Sequence, residues 1–313
     1  LNGRPPNLES RNPFRAAAEL SLVDVPRGPI TFSFTGTIEQ FTVPDRVTQI
    51  RIEAAGAEGG ATTLLPQPPG YGIQPEHGGP GRGAQVRGDF AVVAGQVLDV
   101  LVGGQPALTG QTGGGGGGTF VWMHDTKVLL IAAGGGGGGT VFDAWTSNGI
   151  DGVITEDGTP ANGRPEGGGV GGHGATAPSD HVAYAGGGAG WYSDGNDGIY
   201  PYGCSNSGGG KSPLSGGTGG AAGGFSSVSA GGFGGGGGGQ GRCDALGAGG
   251  GGGYSGGGGG FEVPDSAPPS AQMNGSGTFA GGGGGGSFNA GAHPSGEPGA
   301  NQGHGHVQIA FEW

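Results

Sequence analysis

Apolar and polar residues alternate in short runs over the first half of the chain. Between Pro29 and Thr35, Ile30, Phe32 and Phe34 fall on one face. A second run, Ile38 to Val43, follows Gly36. Val47 to Ala54 puts Ile50, Ile52 and Ala54 together, and Ala84 to Val93 does the same for Val86, Phe90 and Val92. Gln96 to Val102 places Leu98, Val100 and Val102 on one side. Thr119 to Met123 and Lys127 to Ala132 read as a hairpin across His124-Asp125-Thr126. At the end of the chain, Val307, Ile309, Phe311 and Trp313 share a face of the run His306 to Trp313. A period of two residues is the mark of half-buried strands. Short strands separated by Gly, Pro and Asp turns predict a β-sandwich or barrel. Residues 29–133 and 303–313 are therefore assigned to one all-β module, with the last strand returning to the sheet that starts near residue 30.

Residues 134–302 follow a different rule. Glycine blocks such as Gly134–Gly139, Gly234–Gly239, Gly249–Gly253, Gly256–Gly260 and Gly281–Gly286 are separated by short spacers, and Gly113–Gly118 interrupts the strands. Of 313 residues, 88 are Gly and 22 are Pro, together about a third of the chain, against a usual share of about 12 %. Glycine costs about 1 kcal/mol per helical position relative to alanine, which excludes a helical bundle. The blocks lack the every-third-residue spacing of collagen. No apolar stretch reaches the ~18–20 residues of a membrane span.

Such blocks read either as a flexible linker or as ordered polyglycine II helices. Aromatic residues in the spacers (Phe142, Trp145, Trp191, Phe225, Phe233, Tyr254, Phe261, Phe288) and the scarcity of serine favour order. Polyglycine II has the geometry of polyproline II, with three residues per turn and outward-pointing N–H and C=O groups. Ordering glycine is entropically expensive, so several blocks must pack side by side, seeded by the β-module. The spacer aromatics read either as plugs that fill gaps inside, which the scarcity of large apolar groups favours, or as exposed platforms for sugars or partner chains.

Residues 1–28 form an arm. It carries Arg4, Arg11 and Arg15, then a short apolar stretch from Ala16 to Val25. An arm of this composition orders only against its own domain or a neighbouring chain. The net charge of −12, with two lysines and ten arginines, gives no basic stripe, so no nucleic-acid partner is expected. Cys204 and Cys243 are read as a disulfide that stabilises the loop between them, the alternative being two reduced, unrelated thiols. The chain begins at Leu1 rather than Met, which fits a leader already removed and a secreted protein.

Several stretches occur in a recognisable order. The strand Val128–Ile131 leads into Ala132-Ala133 and Gly134–Gly139. Gly231-Gly232-Phe233 precedes Gly234–Gly239. Tyr254-Ser255 sits between Gly249–Gly253 and Gly256–Gly260, and Ser287-Phe288-Asn289-Ala290-Gly291 follows Gly281–Gly286. Phe41-Thr42-Val43-Pro44, running through Val47, Ile50, Ile52 and Ala54 to Gly59-Gly60, is the opening of such modules. Over about residues 30–313 this order resembles the glycine-rich region of the receptor kinases anaplastic lymphoma kinase and leukocyte tyrosine kinase, and similar modules of secreted bacterial proteins. The resemblance implies a TNF-like, jelly-roll-like sandwich with an attached bundle of polyglycine II helices. In the receptors this region binds a cytokine beside a membrane helix and a kinase, neither of which this sequence contains. The receptor role is not carried over. Phage tail-tip adhesins also use polyglycine II sandwiches, to present variable loops.

The search for chemistry yields little. His304-Gly305-His306 puts two imidazoles on one face of a strand, without the companion ligands of a metal site. Ser193-Asp194-Gly195-Asn196-Asp197-Gly198, and Asp151 with Glu156 and Asp157, offer closely spaced oxygens without the complete calcium loop. Asp-Gly pairs are ordinary turn signals. Gly208-Gly209-Gly210-Lys211-Ser212 lacks the first glycine of a phosphate loop. No cofactor, metal or catalytic set is expected, and an enzyme or an ice-binding protein ranks low.

Two functions remain. The first is an extracellular structural subunit that assembles with identical subunits into a filament or surface layer. The stretch Ala18 to Val25, with Leu20, Leu22, Val23 and Val25, would add as a strand to the next subunit. The second is an adhesin that recognises a cell-surface ligand through the loops Leu64–His77 and Tyr192–Ser205, whose tyrosines are Tyr71, Tyr192, Tyr200 and Tyr202.

Overall fold

The computed structural model describes residues 28–62, 78–108, 110–142, 145–162, 167–177, 184–199, 205–224, 228–241, 246–261 and 280–312. They are built almost entirely from strands and extended segments, with one 3-10 turn, Pro213–Ser215. No helix among them is long and apolar enough to cross a membrane.

Two five-stranded antiparallel sheets lie face to face. The first consists of β1 (Ile30–Ser33), β14 (His306–Glu312), β3 (Gln49–Ala55), β4 (Gly83–Ala91) and β13 (Ala292–Asn301), in that spatial order. The second runs β12 (Phe288–Asn289), β7 (Leu129–Ala133), β6 (Thr119–Met123), β5 (Val97–Leu101) and β2 (Ile38–Thr42). Short ladders flank them: β8 (Thr140–Phe142) with β9 (Trp145–Ser147), and β10 (Gly223–Gly224) with β11 (Gln240–Gly241).

The alternation seen in the sequence sets the core. Ile50, Ile52, Ala54, Val86, Phe90, Leu98, Val100, Val121, Ile131, Val307 and Ile309 all turn inward between the sheets. Full burial of such a side chain stabilises by about 1.5–3 kcal/mol. The closing strand pairs as expected, with Ile309 opposite Ile52 on one side and Ile30 on the other. The sheets also take Phe288–Asn289 and Ala292–Asn301, which lie within the stretch assigned from the sequence to the glycine-rich region. Ala292–Asn301 holds two prolines, two glycines and no large apolar residue, so it carries no alternation to read. It is tolerated because it is an edge strand, bulged twice along β4.

The glycine blocks hold each other through their backbones. Within Gly113–Gly118, the amides of Gly113 and Gly116 donate to Gly139 and Gly136, each at 2.8 Å. Those of Gly115 and Gly118 donate to Gly237 and Gly234, each at 2.9 Å. The remaining two amides reach the Ser229 hydroxyl and the Gly104 carbonyl. In two of the three sets, residues three apart thus donate to one and the same neighbouring segment. The next block repeats this: Gly135 and Gly138 donate to Gly252 and Gly249, while Gly136 and Gly139 donate to Ala57 and Gly60. Gly249 and Gly252 donate in turn to Gly113 and Gly116, and Gly282 and Gly285 to Gly138 and Gly135.

These contacts leave no room for a side chain. A Cβ on Gly115 would meet the Gly250 carbonyl, one on Gly137 the Gly282 carbonyl, and one on Gly257 the Gly283 carbonyl. Each hydrogen bond contributes only about 1 kcal/mol net, while fixing each backbone costs about 1–2 kcal/mol. The lattice therefore needs a rigid seed. The second sheet supplies one: Phe120, Trp122, Leu129 and Ala132 on its outer face bury against Trp191, Tyr254, Phe233 and Phe288. Trp191, Phe233, Tyr254 and Phe288 act here as plugs, whereas Tyr192 stays exposed. A smaller cluster of Tyr184, Phe261, Ala161 and Ala280 performs the same task further out.

Candidate functional site

Three places in the fold bring chemistry-bearing side chains together, and the first is one end of the sandwich. β1 and β2 are edge strands of opposite sheets, and they face each other there. Phe32 meets Phe41 edge-on at 6.3 Å, and Phe41 lies 6.3 Å from Phe311. Ile30, Phe32, Phe34, Met123 and Phe311 pack on the core but remain only half-buried. Among the described residues the rest of this apolar layer is buried.

Phe34 also stacks on His304 at 4.4 Å, and the His304 Nδ1 accepts the Gln105 amide at 3.0 Å. His304 is thus held by an aromatic ring and a backbone donor. Among the described residues no group of three or more His, Cys, Asp or Glu side chains is placed to share a metal ion.

The second place is a pair of buried aspartates, one on the outer face of each sheet. Arg51 grips Asp89 with two bonds, Nε to Oδ1 at 2.6 Å and a terminal nitrogen to Oδ2 at 3.1 Å. The imidazole of His293 adds a third contact, Nδ1 to Oδ2 at 3.1 Å. The Arg51 hydrogen bond holds the Asp89 carboxyl below its usual range, against the opposing effect of burial. On the other sheet, Asp99 takes His124 Nδ1 at 2.7 Å, Lys127 Nζ at 3.1 Å and Gln40 Nε2 at 3.3 Å. Burial pushes the Asp99 pKa up, and the hydrogen bonds from His124 and Lys127 outweigh it, so the net direction is down. These groups come from separate strands and from the β6–β7 turn, and the sequence reading does not single them out. The available signal was a lone carboxylate inside an apolar run, as in Val97-Leu98-Asp99-Val100-Leu101. Each carboxylate is saturated by its cations and the arrangement contains no nucleophile, so it acts as a cross-strand clasp.

The third place surrounds Tyr192, which is 60 % exposed. Its backbone is fixed by a bond from Tyr192 N to Gly172 O at 2.8 Å, and the preceding Trp191 is buried against Trp122 and Phe120. The ring lies directly over Gly172, where a Cβ would come within 2.7 Å of Cδ2. Gly172 has φ +88°, so both space and backbone conformation call for glycine there. His173 lies 5.8 Å from the ring and Tyr254 6.4 Å. Burial raises the Tyr254 pKa, followed by the influence of Tyr192, Glu156 and Asp157. The result is an exposed aromatic face seated over Gly172, beside His173 and Tyr254.

The other residues singled out from the sequence are placed as follows. In Ser193–Gly198 the carboxylates point to different backbone groups: Asp194 accepts from Ser212 N and pairs with Lys211, and Asp197 accepts from Gly209 N. Asp151 and Asp157 likewise accept from Arg82 N and Gly171 N. These oxygens fasten glycine segments. Lys211 is the partner of Asp194 in an ion pair of 3.1 Å. Cys204, Cys243, Leu20, Leu22, Val23, Val25, Tyr71, Tyr200 and Tyr202 lie outside the described residues. Searches against protein-family models and against curated proteins find no match to the chain.

Proposed function

We propose that this chain is an extracellular structural protein, a subunit that assembles with identical copies into a filament or surface layer through its N-terminal arm. The observation that carries this reading is the open end of the sandwich, where Ile30, Phe32 and Phe311 stay half-buried between two edge strands. Apolar interior left at a sheet edge is completed most readily by another strand. The side-chain clusters of the described residues also hold structure together, in keeping with a mechanical role.

The fold reading belongs to the same proposal. A polyglycine II bundle is supported by the three-residue period of the hydrogen bonds and by the carbonyls that crowd each glycine Cα. A jelly-roll-like winding is supported by nested pairing: β3 pairs β4 in one sheet while β2 and β5, on either side of them in sequence, pair in the other. Secretion suits a structural protein of this kind.

Electron microscopy of native, unconcentrated material tests the proposal. Regular filaments or sheets with a subunit repeat are the expected result. Discrete particles at every concentration would reject assembly. The weight would then move to an adhesin that binds a cell-surface ligand, a second reading favoured by the exposed ring of Tyr192 over Gly172.

A further inference from the structure

The last described strand in chain order sits in the interior of the first sheet. β14 lies between β1 and β3, in the spatial order β1-β14-β3-β4-β13. Among the described residues β1 pairs with no other strand, and its register runs from Ile30↔Ile309 to Ser33↔His306. On its other side β14 pairs with β3 along the whole of Gln49–Ala55. Its Val307 and Ile309 are fully buried, and Ile309 stands between Ile30 and Ile52 in one cross-strand row. Without β14 the first strand has no ladder and β3 becomes an edge.

The approach to β14 also fastens the place where β3 runs into the glycine lattice. Asn301 Nδ2 donates to the Gly56 carbonyl at 2.7 Å, and Glu58 N to the Gly303 carbonyl at 2.9 Å. Gly303 N returns a bond to the Glu58 carboxylate at 3.1 Å. Gly305 N donates to the Gly103 carbonyl at 2.9 Å, and a Cβ on Gly305 would strike both the Ala55 carbonyl and the Thr119 hydroxyl. Ala57 and Gly60, next along the same segment, accept the amides of Gly136 and Gly139. One short stretch, 301–312, thus ties β1, β3 and the lattice together.

We propose that β14 is a closing strap: the first sheet, and the lattice that starts from it, stay open until His306–Glu312 inserts between β1 and β3. The reason is chain order. β1 and β3 precede the glycine-rich region and β14 follows it, so their pairing closes a loop that contains the whole lattice. The entropy of closing such a loop is lost before the distant contacts reward it. A local hairpin such as β6 with β7 has no such wait. Yet Leu98, Val100, Val121 and Ile131, on the inner face of the second sheet, pack against the first and stay uncovered until it closes. The inference goes beyond the assembly reading and does not rest on it. In a secreted chain the delay keeps the polypeptide threadable until its lattice has been made.

Refolding of the full chain from urea, followed by pulsed hydrogen exchange read by mass spectrometry, tests this. Expected is that Ile30–Ser33, Gln49–Ala55 and Gly134–Gly139 gain protection with the rate constant of His306–Glu312. Protection of β3 or of the lattice that runs ahead of β14 by about tenfold or more would overturn the strap. The full-length variant Ile309→Val gives a second readout. If β14 pairing is part of the closing step, folding slows by about two- to tenfold and unfolding changes little. A residue that only packs in the finished core leaves the folding rate alone and speeds unfolding. That result would also overturn the proposal, because β14 would then dock after the barrier.

Discussion

Trp191 stands edge-on to Trp122, ring centroids 5.5 Å apart, across the boundary between the glycine lattice and the second sheet. Trp191 also tilts over Phe120 at 6.1 Å and is almost wholly buried. One ring from a spacer thus couples a lattice made of backbone to a sheet made of side chains. Truncation to alanine should cost about 3–5 kcal/mol, the usual range for a buried tryptophan. Urea unfolding checks this. If the lattice depends on the sheet as a seed, amides of Gly249–Gly253 should also lose protection in the variant, while β3 and β14 keep theirs.

The lattice makes a sharper claim about glycine. At Gly115 a Cβ would strike the Gly250 carbonyl, and neither backbone can retreat without breaking bonds to other segments. Gly95 has φ +80° but nothing within 4 Å of its Cβ position. Gly115→Ala should therefore destabilise by about 3 kcal/mol or more. Gly95→Ala should lose only the backbone preference, about 1–2 kcal/mol. Equal losses in thermal unfolding would mean that the crowding at Gly115 relaxes freely, and close backbone packing would not be what demands glycine there.

Much of the sandwich was legible because burial and alternation coincide. Ile50, Ile52 and Ala54, or Leu98, Val100 and Val102, announce both the strand and its inner face. Ala292–Asn301 was not legible, because an edge strand paired through its backbone and exposed along most of its length needs no apolar stripe. The order of the glycine blocks was inferable from the aromatics between them. Which block pairs with which was not, because identical glycines carry no register. The Asp89 and Asp99 clasps were missed because their partners come from other strands, such as Arg51 from β3 and His124 from the β6–β7 turn. Asp99 in particular reads as an error in an apolar strand until Lys127 and His124 are seen to cover it.

Asp99 gives the fold an acid limit. Its folded pKa lies below the ordinary value, so the unfolded chain binds the proton first as pH falls. Its contribution is complete above the unfolded value near pH 4 and is lost as pH drops through the folded value. Asp99→Asn should cost about 1.5–3 kcal/mol at neutral pH, the range for hydrogen bonds to a charged group. The gap between wild type and variant should be constant at neutral pH and shrink below about pH 4. A pH series of urea midpoints reads this, and a gap independent of pH would assign the loss to packing instead.

Tyr184 and Tyr254 set the opposite limit. Burial raises the pKa of both, and at Tyr254 the neighbouring Tyr192, Glu156 and Asp157 add to it. A phenol whose folded pKa is raised stays neutral while the unfolded chain has begun to ionise. The stability it supports is therefore full below the unfolded value near pH 10 and falls as pH rises through the folded one. Ultraviolet titration should show a fraction of the tyrosines ionising late, together with loss of structure. Tyr254→Phe removes one such group, and because the ring stacks on Phe288 at 4.8 Å its packing survives the change. The variant should keep its neutral stability to within about 1 kcal/mol and unfold at higher pH than wild type. If its alkaline midpoint does not move, Tyr254 is not among the late-ionising groups and Tyr184 alone carries the limit.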